Sequence, residues 1–152
     1  ESKVLNPIHQ AVHHVRMCHE LLKTADRALA LHLEKRLGTS VATKLTAKAS
    51  ARLAVGFFSP ECTAFAWDTC IIAGWVYLER VLAAGLIAVR AGLLVCTSAD
   101  HVRAHIAEFA PQLTVEQLRA ALEPELMADV RQAVGVSGSS SEVPLLPPGG
   151  LL

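Results

Sequence analysis

The feature that most constrains this chain is one apolar stretch from Ala66 to Leu94, AWDTCIIAGWVYLERVLAAGLIAVRAGLL. Ala and Leu dominate it, and these are the apolar residues with the best helix propensity. Glu79, Arg80 and Arg90 interrupt it. No uncharged apolar segment therefore approaches the ~20 residues that a membrane-spanning helix needs. The stretch reads as helices buried in a protein core, with Gly74 as the boundary between two of them. Trp67 is expected to fill a large core volume, its indole N–H requiring one acceptor. Asp68 beside it has Arg80 as a candidate partner.

The 152 residues suffice for one domain with a real core. Hydrophobic residues make up 52% and charged residues 18%, which favours a compact fold with few solvated loops. Net charge is zero but unevenly spread. Residues 1–58 hold nine Lys/Arg against four Asp/Glu, and residues 59–152 hold five against ten. The two halves are expected to complement each other across the fold. No dense basic cluster with interleaved aromatics is present, which argues against a nucleic-acid partner. No signal-peptide pattern stands at the N-terminus, where Glu1 and Lys3 lead to Pro7. Cys18, Cys62, Cys70 and Cys96 are scattered through apolar contexts, the pattern of reduced, buried thiols in a cytoplasmic protein.

Apolar residues at Ile8, Val12, Val15, Cys18, Leu22, Ala25, Leu29 and Leu33 recur at steps of three and four and predict one buried helical face. Asn6-Pro7 opens it, a break falls near Thr24-Ala25-Asp26, and Gly38 closes it. A helix restarts at Thr39 or Ser40 and runs to about Phe57-Phe58. Ser59-Pro60-Glu61 starts the next, with a cap, a proline at the first position and an acid in the first turn. The helical pattern then continues to Val95. Ser98 caps a short helix ending near Pro111, Thr114 and Gln117 form a capping box, and a last helix covers about Pro124 to Val134. The fold class expected is all-α, a compact bundle of about six or seven helices in residues 1–135. Residues 136–152 form a Ser/Pro/Gly-rich tail, expected to be disordered, whose leucines offer a small docking motif.

The order of these features resembles the C-terminal lobe of TBC domains, the helical domains of Rab GTPase-activating proteins. In Cys18–Gly38 the Asp26-to-Leu29 step, the His32-Leu33 pair and Gly38 are similar to a family segment. Phe57-Phe58 closes the next helix, without the family's usual Trp. Pro60-Glu61, Trp67-Asp68 and Gly74 through Arg80-Val81 follow at family-like spacing, so that the resemblance spans roughly residues 10–110. It implies a helical lobe of that fold. Active members of the family carry an Arg in an Ile-x-x-Asp-x-x-Arg segment and a Gln in a Tyr-x-Gln segment, and neither occurs in this sequence. An arginine finger stabilises charge on the transferring phosphoryl group, so the resemblance implies no GTPase activation by this chain alone.

Other constellations are weaker. His14 and Cys18, four apart on one helix face, have the spacing of two metal ligands, but no Cys-x-x-Cys completes a zinc site. There is no Gly-x-Ser-x-Gly, His-Glu-x-x-His or phosphate-binding glycine loop. No catalytic residue, cofactor or metal is expected. The function expected is a helical interaction or scaffold module, in small-GTPase regulation, membrane traffic or cilia. The alternatives are the C-terminal part of an active Rab GTPase-activating protein and an unrelated helical adaptor. Ile8, Val12 and Val15 continue the apolar stripe upstream of the family-like segment and are the candidate partner-binding residues, for self-association or for a helical partner.

Overall fold

The computed structural model describes residues 18–126, with the backbone alone at 39–44 and 123–126. Among these residues the regular structure is helical, and the only β contact is an isolated bridge between Val55 and Phe58. The order is α1 (residues 18–25), α2 (Arg27–Leu37), α3 (Thr39–Ala51), α4 (Pro60–Ala73), α5 (Tyr77–Ala88), α6 (Arg90–Leu94), α7 (Ala99–Phe109), a 3-10 turn at Ala110–Gln112, and α8 (Val115–Leu126). Ile8, Val12, Val15 and the tail at 136–152 lie outside the described residues.

The capping signals place most boundaries. Asp26 leaves helical geometry and its carboxylate accepts the Leu29 N–H, which separates α1 from α2 at the expected break. Gly38 closes α2 with its N–H on the Glu34 carbonyl. Ser59 caps α4 with Pro60 at its first position. Ser98 caps α7 through the His101 N–H. The Thr114–Gln117 box is reciprocal: each backbone N–H is bound by the other's side chain, at 3.0 and 3.1 Å.

Three boundaries differ from the sequence expectation. Helix α3 ends at Ala51, not near Phe57-Phe58. The N–H of Leu53 binds the Ser50 carbonyl and that of Ala54 binds the Ala49 carbonyl. This is a Schellman termination with Leu53 at the left-handed position, φ 52°. Glycine usually occupies that position, so its usual sequence marker is missing here. The second difference is a break at Val89 between α5 and α6. It lets Arg90 turn to Asp26 while Leu93 stays buried. The third is Pro124, which lies inside α8 and does not open a new helix. Leu118 and Leu122, both buried, carry the helix up to the proline despite the hydrogen bond it removes.

Helix α5 is the centre of the bundle. Leu78, Glu79 and Val81 through Leu86 are all buried. Helices α3, α4 and α8 pack on α5, while α2 packs on α3 and α6. Two polar ties hold α2 to the segment after α6: His32 Nε2 lies 3.2 Å from the Cys96 carbonyl, and Arg36 donates to the Thr97 carbonyl. Gly85 sits where α5 meets Phe58; a Cβ there would stand 2.6 Å from the buried Phe58 ring. Its lack of a side chain is what permits that approach.

Candidate interaction surface

Helix α4 is built inside out for a surface helix. Its buried residues are Cys62, Thr63, Ala66 and Cys70, all small. Phe65 is half-buried against the core, but the other large apolar residues face away from it. Trp67 is 38%, Ile71 70% and Ile72 87% exposed, and Trp75 and Val76 in the following turn are each 47% exposed. The reason lies in the spacing. Cys62, Ala66 and Cys70 recur every four residues and present a narrow, small-residue face to the core. Trp67 and Ile71 form the neighbouring stripe, with Asp68 beyond it and Ile72 beyond Asp68. Helix burial normally takes the large apolar residues inward.

The expectation that Trp67 anchors the core is therefore corrected. Its indole N–H donates to the Leu53 carbonyl at 2.7 Å, which satisfies the polar edge while the ring stays on the surface. That bond joins α4 to the turn after α3, where Leu53 and Val55 are also exposed. Gly74 ends α4 at φ 111°, a conformation an L side chain rarely adopts, and its N–H binds the Cys70 carbonyl. The reversal turns Trp75 and Val76 outward beside Ile72. Together these residues form an apolar surface at one end of the bundle, and large exposed apolar patches mark interfaces.

Asp68 is exposed. The guanidinium of Arg80, the candidate partner for Asp68, stands over the Tyr77 ring, 4.5 Å from its centroid.

Beneath the surface lies a buried polar cluster. Glu79, 2% exposed, accepts from the Ser50 hydroxyl at 3.4 Å. Burial pushes the Cys18 thiol up to about 12; the Thr46 hydroxyl opposes this rise and the Glu79 charge adds to it. Burial and then Glu79 push Cys70 up to about 11. Both thiols are thus held protonated at neutral pH, unlike a nucleophile, which needs a lowered value. Cys62 donates to the Leu113 carbonyl and Cys96 to the Gly92 carbonyl. The cysteines are spread over separate contacts. His14, the other half of the His14/Cys18 pair, lies outside the described residues. Among the described residues no three His, Cys, Asp or Glu side chains converge on a metal position.

A second recess, about 330 Å³, lies between α6, α7 and α8 and is lined by Val89, Gly92, His105, Gln112, Leu113 and Gln117. Its polar side chains are already committed. Gln117 serves the capping box, Gln112 donates to the Glu108 carbonyl, and His105 packs on Phe109 with ring centroids 4.5 Å apart. The α4 surface has no such internal use.

Set against protein-family models, curated proteins and solved structures, the chain matches none. No helix among the described residues is long and apolar enough to cross a membrane.

Ile8, Val12 and Val15, the candidate partner-binding residues, lie outside the described residues. Ile71 and Ile72 sit in a helix whose apolar residues follow no single face, so periodicity alone does not mark them. A signal was present: small residues at Cys62, Ala66 and Cys70 at helical spacing mark the face that packs closely, which turns Trp67 and Ile71 outward.

Proposed function

We propose that this chain is a helical protein-interaction domain that does not catalyse, a scaffold of the TBC C-lobe kind, and that the α4 surface is its partner-binding face. The observation that carries the reading is the inversion of α4, with Cys62, Ala66 and Cys70 inside and Trp67, Ile71 and Ile72 outside. Leaving two tryptophans and two isoleucines in water is unfavourable, by about 25 cal/mol per Å² of apolar surface. A surface kept in that state is explained by a partner that covers it. Aromatic anchors among aliphatic neighbours are also the composition of interface hot spots. The all-α fold is compatible with the TBC resemblance, and the sequence lacks both finger segments of the active family. The partner class proposed is a small GTPase or a helical protein, with a cytoplasmic setting in membrane traffic or cilia.

The test has two parts. Purified Rab-type GTPases loaded with GTP are incubated with the chain, and phosphate release is followed. No acceleration is expected; an acceleration would overturn the non-catalytic reading in favour of a GTPase activator. Binding of the same GTPases is then compared between the parent and an Ile71→Asp/Ile72→Asp variant. Loss of at least tenfold in affinity is expected, a change of about 1.4 kcal/mol. Binding that ignores both substitutions would remove the α4 surface from the proposal.

A further inference from the structure

The apolar surface on α4 has opposite charges on its two sides. Helix residues turn by about 100° each, which fixes the order around α4. With Ala66 toward the core, Trp67 and Ile71 fall on one flank, beside the Leu53 carbonyl that Trp67 binds. Phe65 falls on the other flank, under Arg119 of α8. Asp68 and Ile72 lie between, on the crest, and both are exposed. Beyond Leu53, the turn after α3 holds a recess of about 170 Å³. Leu45, Ala49, Val55 and Phe57 give it apolar walls, and the exposed Lys48 and Arg52 complete its lining. The surface therefore runs from a basic recess, across Trp67 and Ile71, to a crest that carries an acid. Lys48, Arg52 and Asp68 make no ion pair with another described residue.

Such an order is self-complementary. A two-fold axis turns a surface onto its own copy, so each side meets the opposite side. With the axis over Trp67 and Ile71, Arg52 meets Asp68 of the second copy, and Asp68 meets its Arg52. Ile72 travels with Asp68 and comes to the recess of the second copy, which has room for one aliphatic side chain.

The area fits as well. Leu53 and Val55 join the five exposed residues at the end of α4, Trp67, Ile71, Ile72, Trp75 and Val76. Taking roughly 250 Å² for a whole tryptophan and roughly 180 Å² for a whole aliphatic residue, their exposed fractions leave about 700 Å² in water. A standard interface buries ~800 Å² per partner, and homodimer interfaces are about 65% apolar. The apolar residues alone exceed that share, and the charged sides supply the polar rim.

We propose that this surface pairs with a second copy of the chain, in an isologous dimer centred on Trp67 and Ile71. This rests on the reading of the α4 surface as an interface and names its partner: the second copy is the helical protein that covers it. The opposed charges fix the register of the pair and keep apolar faces from docking in other orientations.

The full chain is examined by sedimentation equilibrium up to about 300 μM. A species of twice the 16.2 kDa chain mass is expected, with a dissociation constant in the micromolar range or below. Arg52→Glu and Asp68→Arg, each made at an exposed side chain, are expected to weaken the dimer at least tenfold, because like charges then face each other twice. An equimolar mixture of the two variants is expected to regain the parental strength, since their heterodimer sets an acid against a base at both contacts. Loss of folding in a variant does not produce that recovery. A parent that stays monomeric would overturn the proposal. So would a dimer that ignores both charge reversals, or a mixture no stronger than its parts. A dimer lost only in the Val12→Asp/Val15→Asp chain would overturn it by placing self-association on the N-terminal stripe. GTPase binding is read separately with Ile71→Asp/Ile72→Asp. Its loss there, with a monomeric parent, would strike the second copy and leave the interface reading standing, so the two failures are distinguishable.

Discussion

The indole N–H of Trp67 is bound to the carbonyl of Leu53 at 2.7 Å, and Leu53 is itself in the left-handed region at φ 52°. A surface tryptophan thus holds a strained helix termination in place. Ala54, next to it, is also left-handed at φ 66° yet fully buried. Such residues cost about 1–2 kcal/mol each and persist only where their surroundings fix them. The bond orients the Trp67 ring on the outer face of α4 and anchors the turn that extends the apolar surface.

Because Trp67 lies on the surface, Trp67→Ala should cost only about 1–2 kcal/mol, well below the 3–5 kcal/mol of a core tryptophan. Trp67→Phe keeps most of the apolar contact but loses the bond to Leu53, and should cost about 1 kcal/mol. Urea denaturation checks both. A loss near 4 kcal/mol in the alanine variant would return Trp67 to the core.

Gly85→Ala should destabilise, although alanine is the better helix former by about 1 kcal/mol. The new methyl would stand 2.6 Å from the Phe58 ring, which is buried and packed edge-on against Phe57 at 4.8 Å. Overpacking of this kind costs about 1–3 kcal/mol. Gly92→Ala meets the His105 ring instead, and that side chain is only half-buried and can swing aside. Melting temperatures of the two variants should therefore fall in the order Gly85→Ala below Gly92→Ala.

Acid should weaken the α2–α6 junction. Burial alone would raise the Asp26 carboxyl, but the Arg90 guanidinium, 2.5 Å away, and the Leu29 N–H outweigh burial and hold it below the ordinary aspartate range. A carboxylate whose value is lower in the folded state contributes its full stability above the unfolded value of about 4. That contribution is lost as pH falls through the folded value. Denaturation midpoints should drop between neutral pH and pH 3, and Asp26→Asn should flatten that dependence. Asp26→Ala, which also removes the cap of α2, should cost about 1–2 kcal/mol at neutral pH. An unchanged pH profile in the Asn variant would show that the pair contributes nothing.

All four thiols should resist modification in the native state. Cys18 and Cys70 are held up at about 12 and about 11, and Cys62 and Cys96 are buried and directed at carbonyl oxygens. A thiol reagent at pH 8 should react only as fast as the protein opens, and fully once denatured. Rapid labelling of one thiol in the folded chain would locate an opening at its helix.

Much of the fold was legible in the sequence because its signals are local. A capping residue binds a backbone N–H two or three positions ahead, so Asp26, Ser59, Ser98 and the Thr114–Gln117 pair specify helix starts without reference to the rest of the chain. Gly38 and Gly74 mark ends for the same reason. Ala, Leu and the three-four spacing specify an all-α bundle. The end of α3 escaped because Leu53 does a glycine's part, held there by tertiary contacts with Trp67. The break at Val89 has no local signal and follows from the reach of Arg90 to Asp26. The tertiary structure alone decided which way α4 faces. In a helix whose apolar residues follow no single face, periodicity cannot choose an inside. The choice was made by close packing, which put Cys62, Ala66 and Cys70 into the core and left Trp67, Ile71 and Ile72 to the surface.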